Sequence, residues 1–390
     1  MLDKSIKRAQ VAGRVVKNTV LNAGVAQEAL RSGNYRVMLT LLPPALRGLI
    51  LQRARGTSST DIPGEYRAHF NWEYGHDKPA LDRLYRQAKK DQWNPEEVLA
   101  WDTAVELDNP ECVLLREDLV PMAEHRAYRR LPEKEKQKQR GAILTWLLSQ
   151  FLHGEQGALF AACQVTQSVQ WMDAKMFGAT QVMDEGRHVE VFKRYLLEKL
   201  EGMYEINDNL YVILDALMTD SRWDMKFLGM QILVEGLALG GFSTLRQSTE
   251  EPLLKELLRY VITDEARHVH FGVLALEDYY TNVLSEKEVR EREEWAYEIS
   301  MFMRNRFLAH EFYDEYYGHT MSRKSWDSMI LASPFMETFR RSLFKRIIPN
   351  LRRLNLLSDR VRPWYDQFGL LKWENERAAP ELSVADLLKG

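Results

Sequence analysis

The feature that most restricts how this chain can fold is an acidic–imidazole pattern written twice. Asp184-Glu185-Gly186-Arg187-His188 and Asp264-Glu265-Ala266-Arg267-His268 share the pattern D-E-x-R-H and lie 80 residues apart. Glu155 stands thirty residues before Glu185, and Glu235 stands thirty before Glu265. Residues i and i+3 lie about 60° apart on a helix, so each Glu-x-x-His presents a carboxylate and an imidazole on one face. Thirty residues is roughly one helical hairpin measured from mid-helix to mid-helix: about a dozen up, a short turn, about a dozen back. The spacing therefore predicts two related hairpins that bring four glutamates to one depth.

The turns of those hairpins belong near residues 170 and 250. At the second, Ser248 and Glu251 have capping-box spacing and Pro252 suits a first helical turn. At the first, Asp173 offers a weaker cap. Residues 133–310 contain no proline except Pro252. Long helices are predicted over 134–170, 174–204, 221–248, 252–283 and 285 to about 317, with Asn207-Asp208-Asn209 and Asp220-Ser221 supplying breaks and N-caps. Upstream, an amphipathic stretch over 5–32 precedes Leu41-Leu42-Pro43-Pro44, and Gly56 to Asp61 reads as a loop. Short helices are expected over 79–130, punctuated by Asn94-Pro95 and Asn109-Pro110. Strand signals are sparse. The expected fold is all-α: a four-helix bundle core with additional N- and C-terminal helices. The expected division is a helical extension over 1–70, a di-metal core over 71–320 and a second extension over 321–390.

The donor chemistry suits two metal ions. Glu155, Glu185, Glu235 and Glu265 supply four negative charges, enough to neutralise two divalent cations, and His188 and His268 add two imidazoles. Four glutamates buried together without metal would be costly, and several would take up protons. Glu235 lies within Ile232-Leu233-Val234 and Gly236-Leu237-Ala238-Leu239, and Glu155 near Gly157-Ala158-Leu159-Phe160, apolar settings where a lone charge is expensive. One Glu-x-x-His alone is usually a solvated helix face; the doubled set is not. Zinc prefers fewer carboxylates, often with sulfur, so iron or manganese fits best. A metal-bound histidine usually donates its other ring proton to a carboxylate, carbonyl or water. Asp184 and Asp264 are placed for that across the pair, with Arg187 and Arg267 holding the aspartates. Plain surface ion pairing is the alternative. His153 and His270 read as packing or surface residues, and Trp146, Trp171, Phe151, Phe160, Phe192 and Phe227 as core.

Composition closes off other classes. The chain of 390 residues is 45% hydrophobic and 28% charged, which is globular and ample for a large core. A net charge of -3 gives no case for nucleic acid. Two cysteines, Cys112 and Cys163, exclude a disulfide scaffold and a cysteine-bound cluster, and a reduced cytoplasm is expected. Lys4, Lys7, Arg8, Arg14 and Lys17 are followed by no apolar run of the secretory kind. The longest greasy stretch is read as Ala142 to Leu152, too short to span a bilayer. A soluble protein that touches membranes at most is the expectation.

At these residues the chain resembles the ferritin-like di-iron carboxylate superfamily, in which one Glu from each of two helices joins a Glu-x-x-His from each of the other two. The nearer resemblance is to its larger oxygenase and oxidase branch, which includes multicomponent monooxygenase hydroxylases and ribonucleotide reductase small subunits. It covers roughly 80–285 and takes in Leu84 to Pro95 as the lead-in segment. Radical-generating subunits carry a tyrosine where this chain has Phe192. The hydroxylases carry a threonine where it has Leu239, and arylamine N-oxygenases an added histidine where it has Val261.

The resemblance implies an O2-dependent non-haem di-iron oxygenase holding two Fe ions, with a manganese–iron pair as the alternative. It would oxidise, by hydroxylation in the first instance, an organic and hydrophobic or carrier-bound substrate. No nucleotide-binding glycine motif occurs, so electrons would come from a separate reductase. Rival readings are a ferroxidase, a ligand-binding di-metal oxidase and a metal-free scaffold. The basic segment from Arg340-Arg341 to Arg352-Arg353 is read as an amphipathic helix with a solvated basic face, with an acidic carrier protein or a lipid surface as its alternative partner. A homodimer is a further expectation.

Overall fold

The computed structural model describes residues 2–105, 107 and 114–389, and for residues 2–10, 338, 341 and 389 the backbone alone. Asn109, Pro110 and Cys112 lie outside the described residues. The described residues contain no strand. The principal helices are α1 (Leu2–Leu21), α2 (Ala23–Ser32), α3 (Tyr35–Ala45), α4 (Pro79–Lys90), α5 (Glu133–Ser168), α6 (Met172–Glu198), α7 (Asp208–Thr219), α8 (Trp223–Ser248), α9 (Pro252–Asp278), α10 (Glu286–Arg306), α11 (Pro334–Phe344), α12 (Ile348–Arg353) and α13 (Val384–Lys389).

The core is two antiparallel hairpins, α5–α6 and α8–α9, packed into a ferritin-like four-helix bundle. The turns fall at residues 169–171 and 249–251, where the thirty-residue spacing puts them. Close approach within the bundle is set by glycines. A Cβ at Gly157 on α5 would meet Leu214 Cδ2 of α7 at 2.3 Å, and one at Gly178 on α6 would meet Thr166 Oγ1 of α5 at 2.4 Å. Helix α4 lies across α6 and α9, and α7 fills the side of the bundle between α5, α3 and α10. The C-terminal helices cover the second hairpin: α11 packs on α8, and α12 and α13 on α9.

Several expectations need correction. The cap of α9 is not Ser248 but Glu251, whose carboxylate accepts from the Leu253 and Leu254 amides at 2.8 and 2.7 Å. Ser248 is still helical and donates to the Thr244 carbonyl. Asp173 does not cap α6. It lies inside the first turn, where its carboxylate bridges His76 Nδ1 and the Lys78 amide. The helix over 285–317 breaks after Arg306, with Ala309 left-handed at φ 49°, and restarts at His310. The break turns Glu311 inward to accept from Arg55, Trp146 and Asn207. Phe160 is 53% exposed rather than core. The basic segment divides between α11 and α12 with Leu343, Ile347, Ile348 and Leu351 buried against the second hairpin. Its Arg346 is buried and its Arg353 bridges Glu277 and Glu381. A longer apolar helix than Ala142 to Leu152 is present: Trp223–Ser248 is long and apolar enough to cross a membrane, but 89% of its most apolar window is buried in the bundle.

Candidate metal centre

The six side chains singled out by the doubled pattern meet in the bundle interior. Glu155 comes from α5, Glu185 and His188 from α6, Glu235 from α8, and Glu265 and His268 from α9. None is more than 5% exposed. They form two overlapping groups. Glu155, Glu185, His188 and Glu265 bring one donor atom each within 4.8 Å of one another, and so do Glu185, Glu235 and His268. The two Glu-x-x-His carboxylates each reach both imidazoles. Glu185 lies 3.5 Å from His188 Nδ1 and 3.1 Å from His268 Nδ1; Glu265 lies 3.2 and 3.8 Å from the same atoms. Glu155 approaches only His188, at 3.3 Å.

The donors converge without satisfying one another. Glu185 Oε2, Glu235 Oε2, both oxygens of Glu265 and His268 Nδ1 are buried with no hydrogen-bond partner among the described residues. Close approach without hydrogen-bond alignment is what lone pairs aimed at a common point produce. Buried orphaned carboxylate oxygens cost roughly 1–3 kcal/mol each or more when charged. The residues therefore fit two cations, one in each group, with Glu185 common to both.

Protons take the place of cations in the electrostatics of the side chains alone. Burial and the neighbouring Glu265 push Glu155 well above the usual carboxylate range, and burial with Glu265 and Glu185 does the same to Glu235. Burial also disfavours the charged imidazoles, but the surrounding carboxylates outweigh it and raise His188 and His268 well above the ordinary histidine value. Glu185 goes the other way: the two histidines overcome its burial and hold it low.

The outer face of the cluster carries both aspartates and both arginines of the doubled pattern. His188 Nε2 meets Asp264 and His268 Nε2 meets Asp184, each at 3.2 Å and each across the pair. Arg187 pairs with Asp184 and, at 3.2 Å, with Asp264. Arg267 pairs with Asp264 and lies 3.7 Å from Asp184. With the aspartates taking up Nε2, both Nδ1 atoms face the carboxylates.

Other participants had no role assigned from the sequence, although three of them lie in the lead-in segment Leu84 to Pro95. Asp91, Gln92 and Trp93, at the end of α4, close this layer. Trp93 Nε1 donates to Asp264 at 2.8 Å, Gln92 donates to Asp184 at 3.0 Å and accepts from Arg187, and Asp91 accepts from Arg267. On the inner side, Gln181 Nε2 donates to Glu185 at 3.1 Å and to Glu235 at 2.9 Å. Its position four residues before Glu185 on one helix face was the only available signal. Just before Glu235, α8 widens into a π turn over Leu228–Val234, a local form frequent at functional sites. Gly272 of α9 admits this turn: a Cβ there would lie 2.6 Å from Gln231 Cβ.

Apolar rings flank the cluster. Phe151, Phe192 and Phe242 pack together on one side, and Phe177 touches His268 and Phe271 on the other. Beyond Phe151 lies an apolar cavity of about 60 Å³, lined by Ile143, Trp146, Leu147, Gly241, Leu245 and Phe307 among others.

No family model matches the chain, and no curated protein matches it. Among solved structures the chain is similar to three variants of an R2-like ligand-binding oxidase. Two carry an anaerobically reconstituted Mn/Fe cofactor, with TM-scores of 0.40 and 0.39 at 20% identity. The third carries an aerobically reconstituted one, with a TM-score of 0.40 at 19% identity. Each match covers 74% of this chain and 95 or 96% of the other. Overlap that loose assigns nothing to this chain, and its ferritin-like arrangement stands on its own helices and side chains.

Proposed function

We propose that this chain is an O2-dependent oxidase or oxygenase working through two iron ions, or a manganese–iron pair, held by Glu155, Glu185, His188, Glu235, Glu265 and His268. The observation that carries the reading is the set of buried, unpartnered carboxylate oxygens facing the same space as both Nδ1 atoms. Four carboxylates, two imidazoles and no sulfur favour iron or manganese over zinc. When bound, the metal pair supplies reduction of O2 and oxidation of an organic substrate.

The chain's own groups do the rest. Asp264 and Asp184 accept at Nε2 and so would leave both Nδ1 atoms free to hold the metals. Glu185, common to both donor groups, and Glu265, within 3.8 Å of both Nδ1 atoms, would help hold the pair. The phenylalanines exclude water from the reacting space. His188, Asp264 and Trp93 form a continuous hydrogen-bonded chain leading outward to a redox-active indole 8% exposed. It is a route for electrons from a separate donor protein, which the lack of a nucleotide-binding glycine motif calls for. The apolar surroundings of the donors favour a hydrophobic substrate, oxidised by hydroxylation.

Metal analysis after loading with ferrous iron, alone or with manganese, tests the reading. Two ions per chain are expected, and Glu235→Ala should lose at least one. Single-turnover reaction of the loaded protein with O2 then decides the chemistry. Oxidation of an added hydrophobic compound supports an oxygenase. Accumulation of ferric product with every compound unchanged would leave a ferroxidase instead.

A further inference from the structure

Helix α3 has two apolar faces, and the protein covers one. Val37, Leu41 and Pro44 are buried against the bundle. On the opposite side Tyr35, Leu39, Leu42 and Leu46 follow one another at spacings of four, three and four residues, so they form a single stripe. They are 62, 69, 50 and 45% exposed. Helix α1, which packs on the turn that follows α3, carries two further exposed aliphatic residues, Val16 and Val20, at 64 and 71%. A second, exposed apolar stripe on a surface helix is not the pattern of a water-facing element, and a cluster of large exposed apolar side chains marks a binding face.

Charge selects the occupant. Residues 1–55 hold ten Lys or Arg and two acids, a formal charge of +8 on a chain whose total is -3, which leaves -11 for the remainder; three of the ten, Arg36, Arg47 and Arg55, pair with acids of the bundle. Lys17 lies beside the exposed valines of α1 and Arg14 further round the same helix, and both are exposed. Two copies meeting through this face would set two strongly basic segments against each other. An anionic lipid surface satisfies both features, since its headgroups meet the basic residues and its acyl boundary takes the aliphatic stripe. Tyr35, at the end of the stripe, has the amphipathic ring favoured at that boundary. The face is held firmly: Arg47, next to Leu46, forms two hydrogen bonds to buried Asp215, at 2.7 and 2.5 Å.

We propose that α1 and α3 form a docking face for an anionic lipid bilayer, so that the bundle lies on the membrane surface without crossing it. The inference rests on the surface alone and is independent of the metal reading. Flotation of the full chain with vesicles tests it, comparing phosphatidylcholine alone with phosphatidylcholine containing about one-third phosphatidylglycerol, a composition whose charge attracts basic segments. The chain should float with the anionic vesicles, stay behind with the neutral ones, and be released by high salt. Leu39→Ser with Leu42→Ser, both outside the core, should lower binding roughly tenfold while circular dichroism and metal content stay unchanged. Arg14→Glu with Lys17→Glu should weaken it as well. The proposal is overturned if neither vesicle binds, if the serine variant binds as well as the parent, or if the serine substitutions instead break a dimer seen without lipid.

Discussion

Gln181 shows how one uncharged side chain organises a cluster of charges. Its amide reaches carboxylates on two helices, Glu185 on its own and Glu235 on α8, and its oxygen accepts from Gln231 at 3.4 Å. It ties the π turn of α8 to the first hairpin. Hydrogen bonds to charged acceptors contribute about 1.5–3 kcal/mol, and groups that orient metal ligands typically carry 10–100-fold in affinity. Gln181→Leu keeps the volume and removes both donors. The expected result is a folded protein that binds metal roughly tenfold or more weakly, read by competition against a chelator of known affinity. Unchanged affinity would mean that helix packing alone sets the two glutamates. The sequence hid this residue for a definite reason. The doubled pattern exposes only what both hairpins share, and the position 80 residues on from Gln181 is Val261.

At the scale of elements, what the sequence revealed and what it hid separate along local and non-local causes. Both hairpins were legible because ligand spacing and helix geometry are local. The α9 cap was half legible. Ser248, three residues before Glu251, mimicked a capping box, but residues 249–251 leave the helix and Glu251 takes the cap with its own carboxylate. That carboxylate also accepts from the Tyr195 hydroxyl of α6 at 2.7 Å, joining the two hairpins. Glu251→Ala removes two cap bonds and the acceptor of a buried hydroxyl, so a loss of about 2–3 kcal/mol is expected. Ser248→Ala removes only a bond back into its own helix and should stay within about 0.5 kcal/mol. Urea unfolding of both variants distinguishes the two caps, and equal losses would refute the assignment. The π turn before Glu235 was not legible, because its register depends on Gly272 of another helix leaving room for Gln231. The break at residues 307–309 was hidden for the same kind of reason. Apolar periodicity runs through it, and the force that bends the chain is the buried network drawing Glu311 toward Arg55 and Asn207.

For the molecule as a whole, the cluster couples folding to protons and metal together. Without metal, Glu155, Glu235, His188 and His268 all have folded-state pKa values above their ordinary ones. For each such group the folded state binds more protons than the unfolded chain. Its stabilising contribution is therefore complete below the unfolded pKa and is lost as pH rises through the folded one. The loss begins above about pH 4.5 for the two glutamates and above about pH 6.5 for the two histidines. Glu185 and Asp264 are shifted down and act oppositely, contributing above their ordinary values and losing that contribution only in acid. The metal-free protein should thus have its highest melting temperature in weak acid and a falling one toward alkaline pH. Metal ions displace those protons, so loading should release acid into a weakly buffered solution and remove most of the alkaline decline. Melting curves of the chelated and loaded protein from about pH 5 to about pH 9 read both effects against the unfolded reference. If the metal-free protein keeps its melting temperature as pH rises, the carboxylates and imidazoles do not share buried protons. The same four-glutamate cluster would then need another counter-charge, and the convergence of the two hairpins would lose its reason.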